Sequence, residues 1–365
     1  MEDKFGLDAH KLNYHPRRIA DWLEAGDDWE KAKKIYPIYI EISPCGFCNH
    51  RCSFCALDFM GYKKLFLDAD ILKRRIEEMA EAGVKSIMFA GEGESLLHRK
   101  MAEIAICAKY AGIDTAFTTN GSMLKEKFCY ETLSVSAIEW IKVSINAATA
   151  GTYQRIHGVS ENQFAVVLSN IGNAVKIKEE LKSSCVIGSQ MLLLPENWQE
   201  APVLAAIMRD LGCDYLVIKP HSQHPLSIGK GYENINYDNF DLVWLKENLD
   251  KFNSGDFKVI FRSEAFSRSH DKQYSFCYSV PFFWAYITAS GDVYACSMFL
   301  GDERFLLGNI YRSSLKEIWE GEKRRQNWLL LKNFFAGNCR KNCRMDVCNL
   351  FLEKIKNPPP HVNFI

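Results

Sequence analysis

A chain of 365 residues exceeds one ordinary compact unit, so it predicts a large domain with a smaller one attached, or a single barrel with an appendage. Apolar residues make up 47% of it, enough for a sizeable core, and 45 basic residues balance 45 acidic ones without a long basic run. That balance argues against a nucleic-acid partner, whose phosphates are met by clustered Lys and Arg. No stretch approaches the roughly 20 uninterrupted apolar residues of a membrane span, and the charged start is not a secretory signal, so a cytoplasmic protein with no membrane partner is expected. Thirteen cysteines in such a chain argue for thiolates and metal rather than a disulfide framework.

After a polar segment over 1–36, the run from Ile38 to Ser43 reads as a first strand that leads straight into a cysteine-rich loop. A helix is expected from Asp68 to Gly83, with Ile71, Leu72, Ile76, Met79 and Ala80 on one face and Gly83 past its end. Strands follow over 84–89, 115–119, 138–145, 185–194 and 215–219, separated by helices near 98–111, 122–134, 161–181 and 198–211. Six βα units in tandem predict an α/β fold with a parallel sheet, open or closed toward a barrel. From about residue 236 the rhythm changes. A helix near 237–253 and a strand over 257–262 precede a hairpin signal, 284–289 and 292–297 around Ser290-Gly291, and a helix near 314–332. The expected division is 1–36, 37–235 and 236–365.

The loop carries Cys48, Cys52 and Cys55 as C-x3-C-x2-C, with Phe54 before the last cysteine. Three thiolates suit a four-iron cluster with one iron left open; they also suit zinc with a fourth ligand from elsewhere. After the second strand stands the run Gly91-Glu92-Gly93-Glu94-Ser95, where glycines allow a ligand or another backbone to come close and a carboxylate can accept from an ammonium group. Small polar side chains end the third and fourth strands, in Thr118-Thr119-Asn120-Gly121 and Val143-Ser144-Ile145-Asn146. Downstream, Cys277 and Cys296 flank the hairpin while Cys339, Cys343 and Cys348 lie together; four such ligands suffice for a closed iron–sulfur or zinc site. Cys45, Cys107, Cys129, Cys185 and Cys213 have no partner spacing and read as buried thiols. Lys219, His221 and His224 either face a substrate or are simply solvated.

The C-x3-C-x2-C loop with its aromatic residue resembles the cluster loop of the radical S-adenosylmethionine (SAM) enzymes. The C-x13-G-x4-C segment from Cys277 to Cys296, followed by Leu307-Gly308-Asn309-Ile310 and 314–319, resembles their SPASM/twitch extensions. What this resemblance implies is a partial (β/α)6 barrel of the radical SAM type, with its chemistry at the C-terminal ends of the strands, and a small C-terminal α+β domain. It implies a 4Fe-4S cluster on Cys48, Cys52 and Cys55 whose free iron chelates SAM, an electron donor such as a flavodoxin or ferredoxin, and a 5'-deoxyadenosyl radical as product. Gly93 and Glu94 match the family's glycine–glutamate segment for the SAM amino group, although Glu92 and Ser95 stand where the family often has glycine and proline. The same resemblance assigns Ser144 and Asn146 to the SAM ribose or carboxylate; Arg155 is a candidate for the carboxylate, which a guanidinium matches bidentately, or else a solvated surface arginine, and Gln190 and Phe54 are candidate adenosine contacts, Phe54 otherwise a packed core aromatic. A full SPASM pattern has seven cysteines and this chain offers five, which implies one auxiliary 4Fe-4S cluster on Cys277, Cys296, Cys339 and Cys343, with Cys348 an alternate ligand or free.

Peptide modifiers of that group often carry a leader-binding domain of roughly 80 to 90 residues, and about 37 residues precede the first strand here. The expected substrate is therefore a small molecule, sugar-like or aminocyclitol-like, including a nucleotide-sugar, oxidised or rearranged with the auxiliary cluster as electron acceptor. The alternatives are a peptide or protein maturase with a separate recognition partner, a radical epimerase in which Cys348 returns a hydrogen atom, and a non-catalytic zinc-binding interaction protein.

Overall fold

The alternation of short apolar runs with amphipathic stretches folds as expected into strands joined by helices. A computed structural model describes residues 5–6, 10–267, 272–340 and 342–364. Strands β1 (Tyr39–Ile42), β2 (Ser86–Phe89), β3 (Asp114–Thr119), β4 (Trp140–Ser144), β5 (Val186–Leu193), β6 (Tyr215–Pro220) and β7 (Lys258–Phe261) lie side by side in chain order, every pair parallel. The chain then returns to the opposite edge. There β8 (Trp284–Ile287) pairs in parallel with β1, and β9 (Asp292–Tyr294) and β10 (Leu306–Asn309) continue antiparallel. Both flanks of the C-terminal part thus share one ten-stranded sheet with the βα units, and β7 adds a seventh parallel strand to the six expected.

Period-two alternation decides which side chains face which way. Ile40, Ile42, Ile87, Phe89, Phe117, Ile141, Val143, Ile187, Leu216 and Ile218 join the core beneath the helices, each contributing on the order of 1.5–3 kcal/mol by burial. Intervening positions, among them Tyr39, Glu41, Lys142, Gln190, Lys219 and Tyr286, belong to the other face. The helix Ala69–Glu81 starts where Asp68 accepts from the N–H groups of Asp70 and Ile71 at 3.0 and 2.9 Å, a cap worth about 1 kcal/mol. It buries Leu72, Ile76 and Met79 at helical spacing.

Three elements depart from expectation. A helix Ala150–His157 follows β4. The stretch read as one helix over 314–332 breaks at Glu320-Gly321 into Leu315–Trp319 and Glu322–Lys332. A C-terminal helix Asp346–Lys356 carries Cys348. The N-terminal helix Pro16–Ala25 packs Ile19 and Trp22 against Phe282, Phe283, Trp328 and Leu352, so the first segment is stapled to the last. Among the described residues no helix is long and apolar enough to cross a membrane.

Candidate active site

The three-cysteine loop leaves β1 at Ser43, whose N–H donates to the Ile287 carbonyl of β8 at 2.8 Å. The loop then docks on the end of the helix Ala150–His157: Arg51 and Ser53 donate their N–H groups to the carbonyls of His157 and Ile156 at 3.0 and 2.9 Å. Cys52 Sγ lies 3.4 Å from His157 Nδ1, while His157 Nε2 sits 2.8 Å from the Ile145 carbonyl. Asn120 at the end of β3 donates to Asn49 at 2.8 Å, and Asn49 to Ser122 at 2.8 Å. The Arg51 guanidinium lies 4.1 Å from the Tyr62 ring centroid. These bonds make one seat for Cys48, Cys52 and Cys55 at the C-terminal end of the sheet.

Burial lifts the Cys48 thiol to about 12, holds Cys52 well above its ordinary range and raises Cys55; Cys52 is lifted further by its two neighbours. Without metal the three would be protonated, and it is metal that turns such thiols into ligands. Among the described residues, the trio of donor atoms lying within 4.8 Å of one another is His50, Cys52 and His157, not the three thiols.

Gly93 and Glu94 explain how the seat holds. A Cβ on Gly93 would stand 2.3 Å from the Phe47 carbonyl oxygen and 2.5 Å from that of Cys45, so the loop backbone passes where only glycine leaves room. Glu94 donates its N–H to the Phe47 carbonyl at 3.0 Å. Its side chain, 3% exposed, accepts from the Leu96 N–H at 3.0 Å, the Thr119 hydroxyl at 2.7 Å and the Asn120 N–H at 2.7 Å. Burial raises its pKa against those donors. Glu94 therefore ties the ends of β2 and β3 to the thiol loop. Glu92, buried under the hairpin, accepts from the Ala289 N–H at 3.1 Å and is pushed up to about 7 by burial.

The remaining residues assigned to SAM divide. Ser144 and Gln190 sit opposite one another in the β4–β5 register, and Phe54 lies edge-on to His157 at 5.5 Å. Asn146 is fully buried at φ +51°, and its Oδ1 accepts from the Leu192 N–H at 2.7 Å while its carbonyl accepts from Asn197 at 2.8 Å. That amide fastens β4 to β5, and its Nδ2 lies 3.5 Å from Nε2 of His157, the ring beside Cys52. Arg155 is exposed and donates to Thr152 at 3.0 Å. Its helix turns Tyr153, Ile156 and His157 inward, which leaves Arg155 on the outer side.

The second set of cysteines converges as well. Cys339 is hydrogen-bonded to Cys343, and Cys296 and Cys339 both feel the charges of Cys277 and Cys343. Asn349 donates to Cys277 Sγ at 3.4 Å and accepts from the N–H groups of Tyr278 and Ser279, both at 2.9 Å. Cys348 lies close enough to Cys343 and Cys277 to feel their charges.

Between the two sets lies a cavity of about 230 Å³ that reaches from Phe54 and Ala56 of the first loop to Cys343 of the second set, with Gln190 on its wall. Larger hollows exist, of about 710 Å³ beside Phe59, Lys63 and Thr288 and about 500 Å³ beside Trp22 and Cys277; the small one joins the two thiol sets. Lys219 and His221 line it, whereas His224 is buried and stacked on Phe59 at 4.7 Å. Sequence reasoning missed Arg262, Arg340 and Arg344 on the same wall. The signal for such residues is a cation at an inward position of an apolar strand, as in Val217-Ile218-Lys219.

Residues 42–207 match the Radical SAM superfamily, and residues 277–349 match the SPASM iron-sulfur cluster-binding domain. A tungsten-containing aldehyde ferredoxin oxidoreductase cofactor-modifying protein of Pyrococcus furiosus is 23% identical over 327 residues, which are 86% of this chain and 88% of that protein. An S-adenosylmethionine-dependent nucleotide dehydratase of Lacinutrix mariniflava is 27% identical over 181 residues, 43% of this chain and 36% of that protein. Among solved structures, Streptococcus suis SuiB bound to precursor peptide SuiA superposes with a TM-score of 0.64 at 17% identity, over 86% of this chain and 70% of that one. That likeness is one of fold.

Proposed function

From a chain that belongs to the radical SAM superfamily and carries a SPASM iron-sulfur domain, we infer an enzyme that removes a hydrogen atom from a small molecule held between its two thiol sets. The observation that carries this reading is the cavity walled by Phe54 and Ala56 on one side and Cys343 on the other. Cys48, Cys52 and Cys55 would hold the SAM-binding 4Fe-4S cluster, and Cys277, Cys296, Cys339 and Cys343 an auxiliary one. When bound, SAM on the first cluster supplies a carbon-centred radical able to attack an unactivated C–H bond, and the auxiliary cluster supplies a one-electron acceptor.

The chain's own contribution is position and exclusion of water. Gly93 and Glu94 set the height of the thiol loop over the sheet, and Ser144, Gln190 and Phe54 would contact the nucleoside of SAM. A volume of about 230 Å³ suits part of a small molecule better than a folded peptide segment. Two relatives are named for acting on a cofactor and on a nucleotide, which supports a sugar-like or nucleotide-linked substrate that is oxidised or rearranged.

The test is anaerobic reconstitution followed by reduction in the presence of SAM. About eight irons per chain and formation of 5'-deoxyadenosine are expected, with loss of both the first cluster and the product in Cys48→Ala. A chain that takes up only zinc, or one that loads iron and leaves SAM intact, would end this reading.

A further inference from the structure

Five cations converge on the interior of the barrel. Lys219, Arg262, Arg340 and Arg344 line the 230 Å³ cavity, and Lys142, at an inward position of β4, is close enough to feel Arg344 and Arg262. Glu41, buried on β1, is paired with Arg344, which also donates to Tyr39 at 3.2 Å. Arg344 keeps 38% of its side-chain surface accessible although protein surrounds it, because that surface opens into the cavity.

Part of this charge has an occupant already. Arg340 and Arg344 flank Cys343 and would offset the negative charge of a thiolate-bound cluster. Glu41 pairs with Arg344, one of those same two. Lys142 and Lys219 have no carboxylate within ion-pair distance among the described residues; Lys142 has only the Trp140 ring, with Nζ 5.3 Å from its centroid. Burial and the neighbouring cations lower both ammonium groups, Lys142 to about 8 and Lys219 well below its usual range. A fold that encloses two like charges without counter-ions does so against desolvation and repulsion. An anionic ligand removes both penalties.

We propose that the cavity between the two thiol sets binds a phosphoryl group of the substrate, with Lys219 on its wall and the neighbouring Lys142 as principal counter-ions and Arg344 as a fork donor. A monocarboxylate would answer one of these charges. A phosphate monoester or pyrophosphate carries two or more and spreads acceptor oxygens over the several directions from which the cations approach, which guanidinium groups match bidentately. The proposal rests on the radical SAM reading only for the word substrate; the anion site itself stands on the side chains.

Inorganic pyrophosphate titrated calorimetrically into anaerobic holoenzyme saturated with SAM tests it, with citrate as a polycarboxylate control. Saturable 1:1 binding of pyrophosphate is expected. It should weaken at least tenfold in Lys219→Gln and in Lys142→Gln, stay within a few-fold in Lys219→Arg, and exceed citrate binding. No saturable binding, equal affinity in the Gln variants, tighter citrate binding, or abolition by SAM would each overturn it, the last because the cations would then serve the SAM carboxylate. Without ligand, Lys219→Gln should melt no lower than the parent chain; a lower melting temperature would make Lys219 structural and count against the site. Pyrophosphate binding without SAM cleavage would sink the enzyme reading and leave the anion site, whereas cleavage without pyrophosphate binding would do the reverse.

Discussion

Replacing Gly93 by alanine probes how the thiol loop is seated. The added Cβ would lie 2.3 Å from the Phe47 carbonyl oxygen and 2.5 Å from that of Cys45, about 1 Å short of ordinary carbon–oxygen contact near 3.3 Å. Both obstacles are backbone atoms, so no side chain can swing aside and the loop itself must retreat. Retreat also stretches the bond from the Glu94 N–H to the Phe47 carbonyl, now 3.0 Å. Overpacking of about 1–3 kcal/mol and a lost hydrogen bond of about 1 kcal/mol give a total of about 2–4 kcal/mol. The displacement falls directly on Cys48. Anaerobically reconstituted Gly93→Ala should therefore carry about four irons per chain in place of about eight, with the auxiliary set intact, and should not cleave SAM. Gly231, where an added methyl would meet no atom within 4 Å and the backbone is not left-handed, supplies the control: Gly231→Ala should load and melt like the parent chain. Full iron content and unchanged melting in Gly93→Ala would refute the seating argument.

Cys343→Ala should lose the auxiliary cluster, about four irons, while Cys348→Ala keeps it, since Cys277, Cys296, Cys339 and Cys343 already supply four thiolates; iron content and the electron paramagnetic resonance of the reduced protein distinguish the two. Burial holds Glu92 protonated up to about pH 7, whereas the unfolded chain releases that proton near 4.5. The folded chain thus keeps the extra proton between those values, and stability falls by about 3 kcal/mol as pH rises through the window. Glu92→Gln should flatten that slope in denaturant titrations between pH 4.5 and 7. Lys142 acts in the opposite sense. Its folded pKa near 8 lies below the usual 10.5, so the unfolded chain holds the proton longer and stability rises by about 3 kcal/mol between pH 8 and 10.5; Lys142→Met should lack that rise, and a parallel rise in the variant would show that Lys142 is solvated.

What the sequence revealed is what local chemistry determines. Period-two strands, the Asp68 cap and the order of βα units depend on neighbours a few residues away, and the structure reproduces them. The pairing of β8 with β1 joins residues about 245 positions apart, and no propensity names a partner. The helix Ala150–His157 escaped notice because Ala-Gly-Thr-Tyr-Gln-Arg-Ile-His holds a glycine and several weak helix formers; what stabilises it is the contact of Tyr153, Ile156 and His157 with the thiol loop. Without that helix the sequence left open whether Arg155 faces a ligand or solvent, since helical phase is what puts it on the outer side. Asn146 looked like a ligand group for the same reason that it works as a clasp, a short amide at a strand end that tolerates a left-handed backbone.

The basic cavity was invisible for another reason. A chain with 45 cations and 45 anions offers no hint of charge in its totals, and the five cations that matter come from four separate places: β4, the end of β6, the residue after β7, and the loop around Cys343. Folding sorts them. Parallel register sets Lys219 beside Leu192 of β5 and Lys142 beside Gly188, over which the Tyr215 ring packs, and the return of the chain to the β1 edge delivers Arg344 to Glu41. The thiols that hold the auxiliary cluster and the arginines that face the cavity occupy the same short segment. Loading that cluster and shaping the anion pocket are thus one structural event, and loss of the auxiliary iron in Cys343→Ala should weaken pyrophosphate binding even though every lysine of the pocket remains in place.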